Sequence, residues 1–233
     1  MFTMQVIPQV YQITFQYANI FLIEEENLTL IDTGYPGNTK GIVAFINTLG
    51  RSPEEIKLIV LTHNHFDHTG GLAKLRKFTD AKVAAPKADF TLEKDTWPYP
   101  GTKYLGKITQ VPGLSAIRNR MILSADNIDS LLEGDEELPV LGGLRVILTP
   151  GHTSGSISLY APQKKLLFVA DAINKRHGLR LPLKTATTDI SQAIASIEKM
   201  TQLDVETICF GHGRPITEDA NERLARLLEK VKV

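Results

Sequence analysis

Within six residues, His63-Asn64-His65-Phe66-Asp67-His68, the chain places three imidazoles and a carboxylate directly after the apolar run 58–61. Thr69-Gly70-Gly71 follows at once. A short, nearly continuous apolar run forms a strand buried on both faces, so the polar cluster must stand where the backbone leaves a sheet. The arrangement recurs. His152 lies in Thr149-Pro150-Gly151-His152-Thr153 after residues 144–148, Asp171 follows 166–170, and His212 lies in Gly211-His212-Gly213 after 205–210. Five of the six histidines therefore stand at strand ends. Loops at one sheet edge can converge on a single cleft. Imidazole suits zinc, iron, nickel and copper, and a carboxylate adds negative charge. A metal site is the first reading. A lone histidine or aspartate after a strand is ordinarily a turn residue or a cap, but six placed this way do not fit that description.

Around these residues strands and helices alternate. Residues 6–13, 20–24 and 28–31 read as strands, with Glu25-Glu26-Asn27 as the turn between the last two. Residues 39–49 place Ile42, Val43, Ile46 and Leu49 on one helical face, and Gly50 closes the helix. A helical turn at 52–55, a buried strand at 56–61, a short helix at 71–78 and a strand at 81–85 follow. Strands are expected at 130–132, 138–140, 144–148, 156–160, 165–170 and 205–210. Residues 190–200 form a helix capped by Asp189 and answered by Gln192, and 218–231 a last helix with Leu224, Leu227 and Leu228 inward. Both halves run strands, then a histidine-bearing loop, then a helix, with no linker between them. Residues 1–233 are expected to form one domain. Its class is α/β: a four-layer αββα sandwich of two mixed β-sheets with helices on the outer faces. The irregular stretch 86–120, with Trp97-Pro98-Tyr99-Pro100-Gly101, is expected to be a lid or substrate-binding segment, a dimer contact or a plain connector.

Charge balance narrows the partners. Lys plus Arg equals Asp plus Glu at 26 each, so no global field recruits nucleic acid or an anionic membrane. No apolar run approaches the roughly 20 residues that span a bilayer. The start, Met1-Phe2-Thr3-Met4-Gln5, lacks the basic and long apolar regions of a signal peptide. One cysteine, Cys209, forms no internal disulfide. A cytoplasmic monomer or homodimer is expected.

As a set, His63-x-His65-x-Asp67-His68, Gly151-His152-Thr153-Ser154-Gly155, Asp171 and Gly211-His212-Gly213 resemble the metallo-β-lactamase-fold hydrolase superfamily, in its lactonase and glyoxalase II-like branch. The resemblance extends to Asn19-Ile20-Phe21-Leu22-Ile23 and Leu30-Ile31-Asp32-Thr33-Gly34. It implies two divalent metal ions, zinc first, with iron or manganese also accepted. His63, His65 and His152 would bind one ion, Asp67, His68 and His212 the other, and Asp171 would bridge them. It further implies a metal-bridging hydroxide that attacks a small ester, lactone or thioester. Asp67 and Asp171 would be catalytic, Asp67 also moving a proton. Asp32 would orient a ligand or a loop.

Departures sharpen the class. Histidine at position 65, where related oxygen-reducing diiron proteins carry glutamate, points to hydrolysis. Aspartate at 171, where the main zinc β-lactamases carry cysteine, points away from antibiotics. Asn174 stands near the place of a substrate-contacting tyrosine in the lactonases. Only about twenty residues follow His212, too few for the helical substrate domain of glyoxalase II. Asn174, Lys175, Arg176 and Arg180 are expected to contact an anionic substrate group, while His177 is read as an exposed loop residue. A phosphodiesterase or ribonuclease of the same fold and a non-catalytic metal-binding regulatory protein are the alternatives.

Overall fold

Alternating side-chain direction decides the layering, because successive strand side chains point to opposite faces. In β3 (Ala18–Glu24), Ile20 and Leu22 join one apolar cluster while Phe21 and Ile23 join another. The computed structural model describes residues 1–16, 18–91, 123 and 125–232. Among these, the first sheet runs β1 (Phe2–Ile7), β2 (Val10–Phe15), β3, β4 (Leu28–Ile31), β5 (Ile56–Val60), β6 (Lys82–Pro86), β7 (Ser130–Leu132). It is antiparallel from β1 to β4 and parallel from β4 to β7. The second sheet comprises β8 (Glu137–Leu138), β9 (Leu144–Leu148), β10 (Ile157–Ala161), β11 (Leu166–Ala170) and β12 (Thr207–Phe210), in the order β12-β11-β10-β9-β8. Only its β11–β12 pair is parallel. Both sheets are mixed, as expected.

Three apolar layers separate four structural ones. Val10, Phe21, Ile31, Val60, Val146, Leu159, Phe168 and Cys209 fill the space between the sheets. Ile20, Leu30 and Ile59 pack outward against Ile42, Phe45 and Ile46 of α1 (Thr39–Thr48). Leu167, Val169 and Ile208 pack against Ile197 and Met200 of α5 (Ile190–Met200) and Leu224 and Leu227 of α6 (Ala220–Lys232). This is the αββα order. Three short helices lie between: α2 (Phe66–Thr69), α3 (Leu72–Leu75) and α4 (Lys87–Phe90). No helix among the described residues is long and apolar enough to cross a membrane.

Some boundaries differ from expectation. Residues 6–13 are not one strand but parts of two, joined at Pro8-Gln9, with Ile7 paired to Val10. Gln9 takes a φ of 71°, so the chain reverses where its apolar character continues. The helix expected at 71–78 is confined to Leu72–Leu75, and α4 was not expected at all. Most of the stretch 86–120 lies outside the described residues.

Strand direction places the functional loops. β4, β5 and β6 run the same way in the first sheet, and β9, β11 and β12 do so in the second. Their C-terminal ends lead to Asp32, His63, Asp89, His152, Asp171 and His212. The sheets are tied at that end by Ile157 N donating to Thr62 O at 3.0 Å. In the core between the sheets, Phe168 is 1 % exposed and meets Phe21 edge-on at 5.1 Å. Phe168→Ala is expected to lower the unfolding free energy by about 3–5 kcal/mol, read from denaturant titration.

Candidate metal centre

Each loop of the centre is held by hydrogen bonds from another strand end. Asp32, just past β4, adopts a left-handed φ of 63°, a conformation aspartate tolerates. Its Oδ1 accepts from Thr62 N at 2.8 Å, and its Oδ2 lies 2.7 Å from His68 Nδ1. Thr62 Oγ1 sits 2.9 Å from Asp32 Oδ2 and 3.0 Å from His63 Nδ1. α2 then turns the chain so that Asp67 and His68 face back, and Thr33 N and Oγ1 both donate to His68 O. Asp89, 3 % exposed, accepts from Asn64 N at 3.0 Å, Gly155 N at 2.7 Å and Thr153 Oγ1 at 2.7 Å. It thereby clamps the loop of His63 and His65 to that of His152. Asn19 does the same for His212: its Nδ2 lies 2.8 Å from Phe210 O and 2.7 Å from Gly213 O. At Gly211 a Cβ would stand 2.0 Å from Asp171 Oδ1, so only glycine fits there.

The seven expected ligands meet. His63, His65 and His152 bring ring nitrogens within 4.8 Å of one another, and so do the ligand atoms of Asp67, His68 and His212. His63, His68 and Asp171 form a third such group between them. His152 Nε2 is 3.0 Å from His65 Nδ1 and 3.5 Å from Asp171 Oδ2. His212 Nε2 is 3.1 Å from Asp171 Oδ2 and 3.5 Å from Asp67 Oδ2, while Asp171 Oδ1 is 3.5 Å from His68 Nε2. Asp171 thus stands between the two triads. His63 Nε2, His68 Nε2 and Asp171 Oδ1 are buried with no hydrogen-bond partner among the described residues. Buried polar atoms are ordinarily paired. Imidazole nitrogens and a carboxylate oxygen left open towards one another fit divalent metal binding.

The sequence model of the metallo-beta-lactamase superfamily matches residues 13–212, which include every member of this cluster. The chain belongs to that superfamily. It is 29% identical over 224 residues to a probable metallo-hydrolase, YflN, of Bacillus subtilis, covering 89% of this chain and 85% of that one. It is 32% identical over 202 residues to a hydroxyacylglutathione hydrolase of Bartonella henselae, covering 82% of this chain but 65% of the relative. Among solved structures, the metallo-beta-lactamase family protein TTHA1429 of Thermus thermophilus superposes with a TM-score of 0.75 at 22% identity. That match covers 98% of this chain and 81% of the other, and it shows the shared fold.

The histidine and aspartate cluster is electrostatically divided. Burial, reinforced by neighbouring imidazoles, pushes His63 well below its ordinary value. Burial also takes His152 down to about 3, against the pull of Asp171. Burial opposes charge on His68 too, but Asp32, Asp67 and Asp171 outweigh it and raise His68 to about 10. Asp171 is lowered well below the carboxylate range, because His212 and His68 overcome its burial. Cys209 lies in the inter-sheet core and burial pushes its thiol up, so it packs as an apolar residue.

A cleft of about 200 Å³ opens onto the cluster. Of the four residues expected to contact substrate, Asn174 and Arg176 line it, and Lys175 and Arg180 do not. The cause is a small hairpin in which Asn174 pairs with Arg180 and Arg176 bridges Gly178. Neighbours on extended backbone face opposite ways, so Lys175 turns to the other side. The Arg180 guanidinium donates to His177 O at 2.8 Å. His177 is exposed, as expected. The remaining wall, Tyr35, Phe66, Pro182, Leu183 and Ala186, had not been singled out. Tyr35, just after Gly34, packs edge-on to Phe66 at 5.3 Å.

A metal ligand must present a free nitrogen, so metal uptake displaces ring protons. At pH 7 His68 carries one, and His63 and His152 do not. Calorimetric titration with zinc in buffers of different ionisation enthalpy is expected to show about one proton released from His68, and less in Asp32→Asn. In the metal-free chain the raised His68 stabilises the fold fully below pH 6.5, and that contribution is lost as pH rises through about 10. The lowered His152 acts oppositely, weakening the fold as pH falls from 6.5 towards 3. Asp89→Ala removes none of the seven side chains but releases the clamp on the loops of His63, His65 and His152. It is expected to weaken zinc binding about tenfold to a hundredfold, read by competition with a chelating dye.

Proposed function

We propose that this chain is a dinuclear-metal-dependent hydrolase of a small ester, lactone or thioester. The observation that carries the reading is the placement of Asp171, whose Oδ2 lies 3.5 Å from His152 Nε2 of one triad and 3.1 Å from His212 Nε2 of the other, with Oδ1 3.5 Å from His68 Nε2. His63, His65 and His152 would hold one divalent ion, Asp67, His68 and His212 the other, and Asp171 would serve both. Zinc is the leading choice, and iron or manganese suit the same donors. Such a pair, when bound, supplies Lewis acidity and brings the pKa of water from 15.7 towards about 7.

The protein's own groups do the rest. Asp32 fixes the His68 ring through Nδ1 and leaves Nε2 as the free donor. Asp67 lines the cleft, its side chain 16% exposed, and is placed to hold or release a proton at a carboxylate oxygen. Tyr35, Phe66, Pro182 and Leu183 offer an apolar wall for an acyl group, and Asn174 with Arg176 offers a polar one. A thioester is favoured within the class, since a relative 32% identical over 82% of this chain is a hydroxyacylglutathione hydrolase.

A panel of simple lactones, esters and thioesters, assayed with metal analysis on the same sample, tests this. Hydrolysis of at least one class is expected, abolished by a chelator. His65→Ala and Asp171→Ala are expected to lose bound metal and at least about a hundredfold in rate. Full metal content and undiminished turnover in both variants would contradict the mechanism.

A further inference from the structure

The hairpin that walls the metal cleft has a second side. Asn174 and Arg176 face the cleft, whereas Lys175, Gly178 and Leu179 line a separate groove of about 330 Å³. Its opposite wall is α6, which contributes Arg223, Arg226 and Lys230. These three lie at helical spacing i, i+3 and i+7, on one face with the buried Leu227. Leu179, Ile216 and Leu227 give the groove an apolar lining.

Four cations thus converge on one concavity in a chain whose positive and negative charges balance overall at 26 each. Glu222 engages Arg226, but among the described residues no ion pair occupies Lys175, Arg223 or Lys230. Like charges at helical spacing repel, and an anion in the groove relieves that repulsion. From residue 223 to 230 the helix rises about 10 Å. That suits one or two phosphates on a small molecule. It is too short for the roughly 4–16 nucleotides that a single-strand-binding groove tracks.

We infer that this groove binds phosphate on the leaving-group end of the substrate, while the acyl end occupies the metal cleft across the hairpin. The inference rests on the hydrolase reading above and narrows it to a thioester whose thiol carries a phosphorylated tail. Hydrolysis breaks the acyl C–S bond. The acyl carbon takes the hydroxyl of water, and the thiolate takes the remaining proton. The apolar lining accommodates the methylene part of such a tail.

Two measurements on the zinc-loaded full chain test it. The first compares KM for acetyl thioesters of pantetheine and of 4′-phosphopantetheine, in the wild type and in Arg223→Gln/Arg226→Gln/Lys230→Gln. Exposed charge contacts are each worth about twofold, so the phosphorylated substrate is expected to have a KM about tenfold lower, and the triple variant to abolish that difference. A KM ratio that is the same in both proteins would overturn the inference. The second follows backbone amide resonances on adding adenosine 3′,5′-bisphosphate. Shifts are expected at Gly178, Leu179 and Leu227, lost in the triple variant. Shifts confined to residues 63–68 would overturn the groove. Groove shifts without turnover of either thioester would uphold the anion site and remove the hydrolase reading. An oligoribonucleotide that binds more tightly than the bisphosphate through the same three side chains would overturn the small-molecule assignment.

Discussion

Buried imidazoles crowd against one another beside Asp171, and the described residues supply no hydrogen bond to several of their ring nitrogens. His63, His65, His68 and His152 are each at most 3 % exposed. The ring centroid of His63 lies 4.2–4.9 Å from those of the other three. Polar groups so placed cost several kcal/mol unless something satisfies them. The surrounding structure is arranged to keep them there. Asp32 reaches from β4 to His68, Asp89 from the end of β6 to the loops of His63 and His152, and Asn19 from β3 to the loop of His212. These clamps engage loop backbone as well as side chains, so the cluster is tied to both sheets. A local breach of good packing, tolerated because the rest is consistent, is where function is expected.

The topology explains how residues from 32 to 212 can meet. Parallel strands deliver their C-terminal ends to one edge of a sheet, and ligands in open α/β sheets gather outside those ends. Here two sheets do so face to face. The first contributes the loops after β4, β5 and β6, and the second those after β9, β11 and β12. The triads divide the chain unequally, with His65 paired to His152 and Asp67 to His212. Each triad therefore draws on both sheets, which couples the centre to the inter-sheet core.

Much of this was legible in the sequence. Short apolar runs ending in His63, His152, Asp171 and His212 marked both the strands and the cluster, and the succession of strands and helices in each half pointed to the four layers. What escaped detection depends on long-range contact or on side-chain direction. Asp89 is a single carboxylate just after a strand, and nothing local separates it from a solvent-facing turn residue. Its role comes from Asn64, Thr153 and Gly155, up to 66 positions away. Lys175 and Arg176 are alike in composition and adjacent, and only the hairpin pairing of 174 with 180 sends them to opposite sides. The strand break at Pro8-Gln9 was hidden because Val6, Ile7 and Val10 continue the apolar pattern across it.

The central claim is that two ions share this cluster through Asp171. Anomalous diffraction at the zinc edge, from crystals of the zinc-loaded protein, tests it most directly. The account predicts two peaks about 3.5–4 Å apart, as in other two-metal sites. One should lie against His63, His65 and His152, the other against Asp67, His68 and His212, with Asp171 between them. A single peak at full occupancy, or a pair that leaves Asp171 uncoordinated, would contradict it.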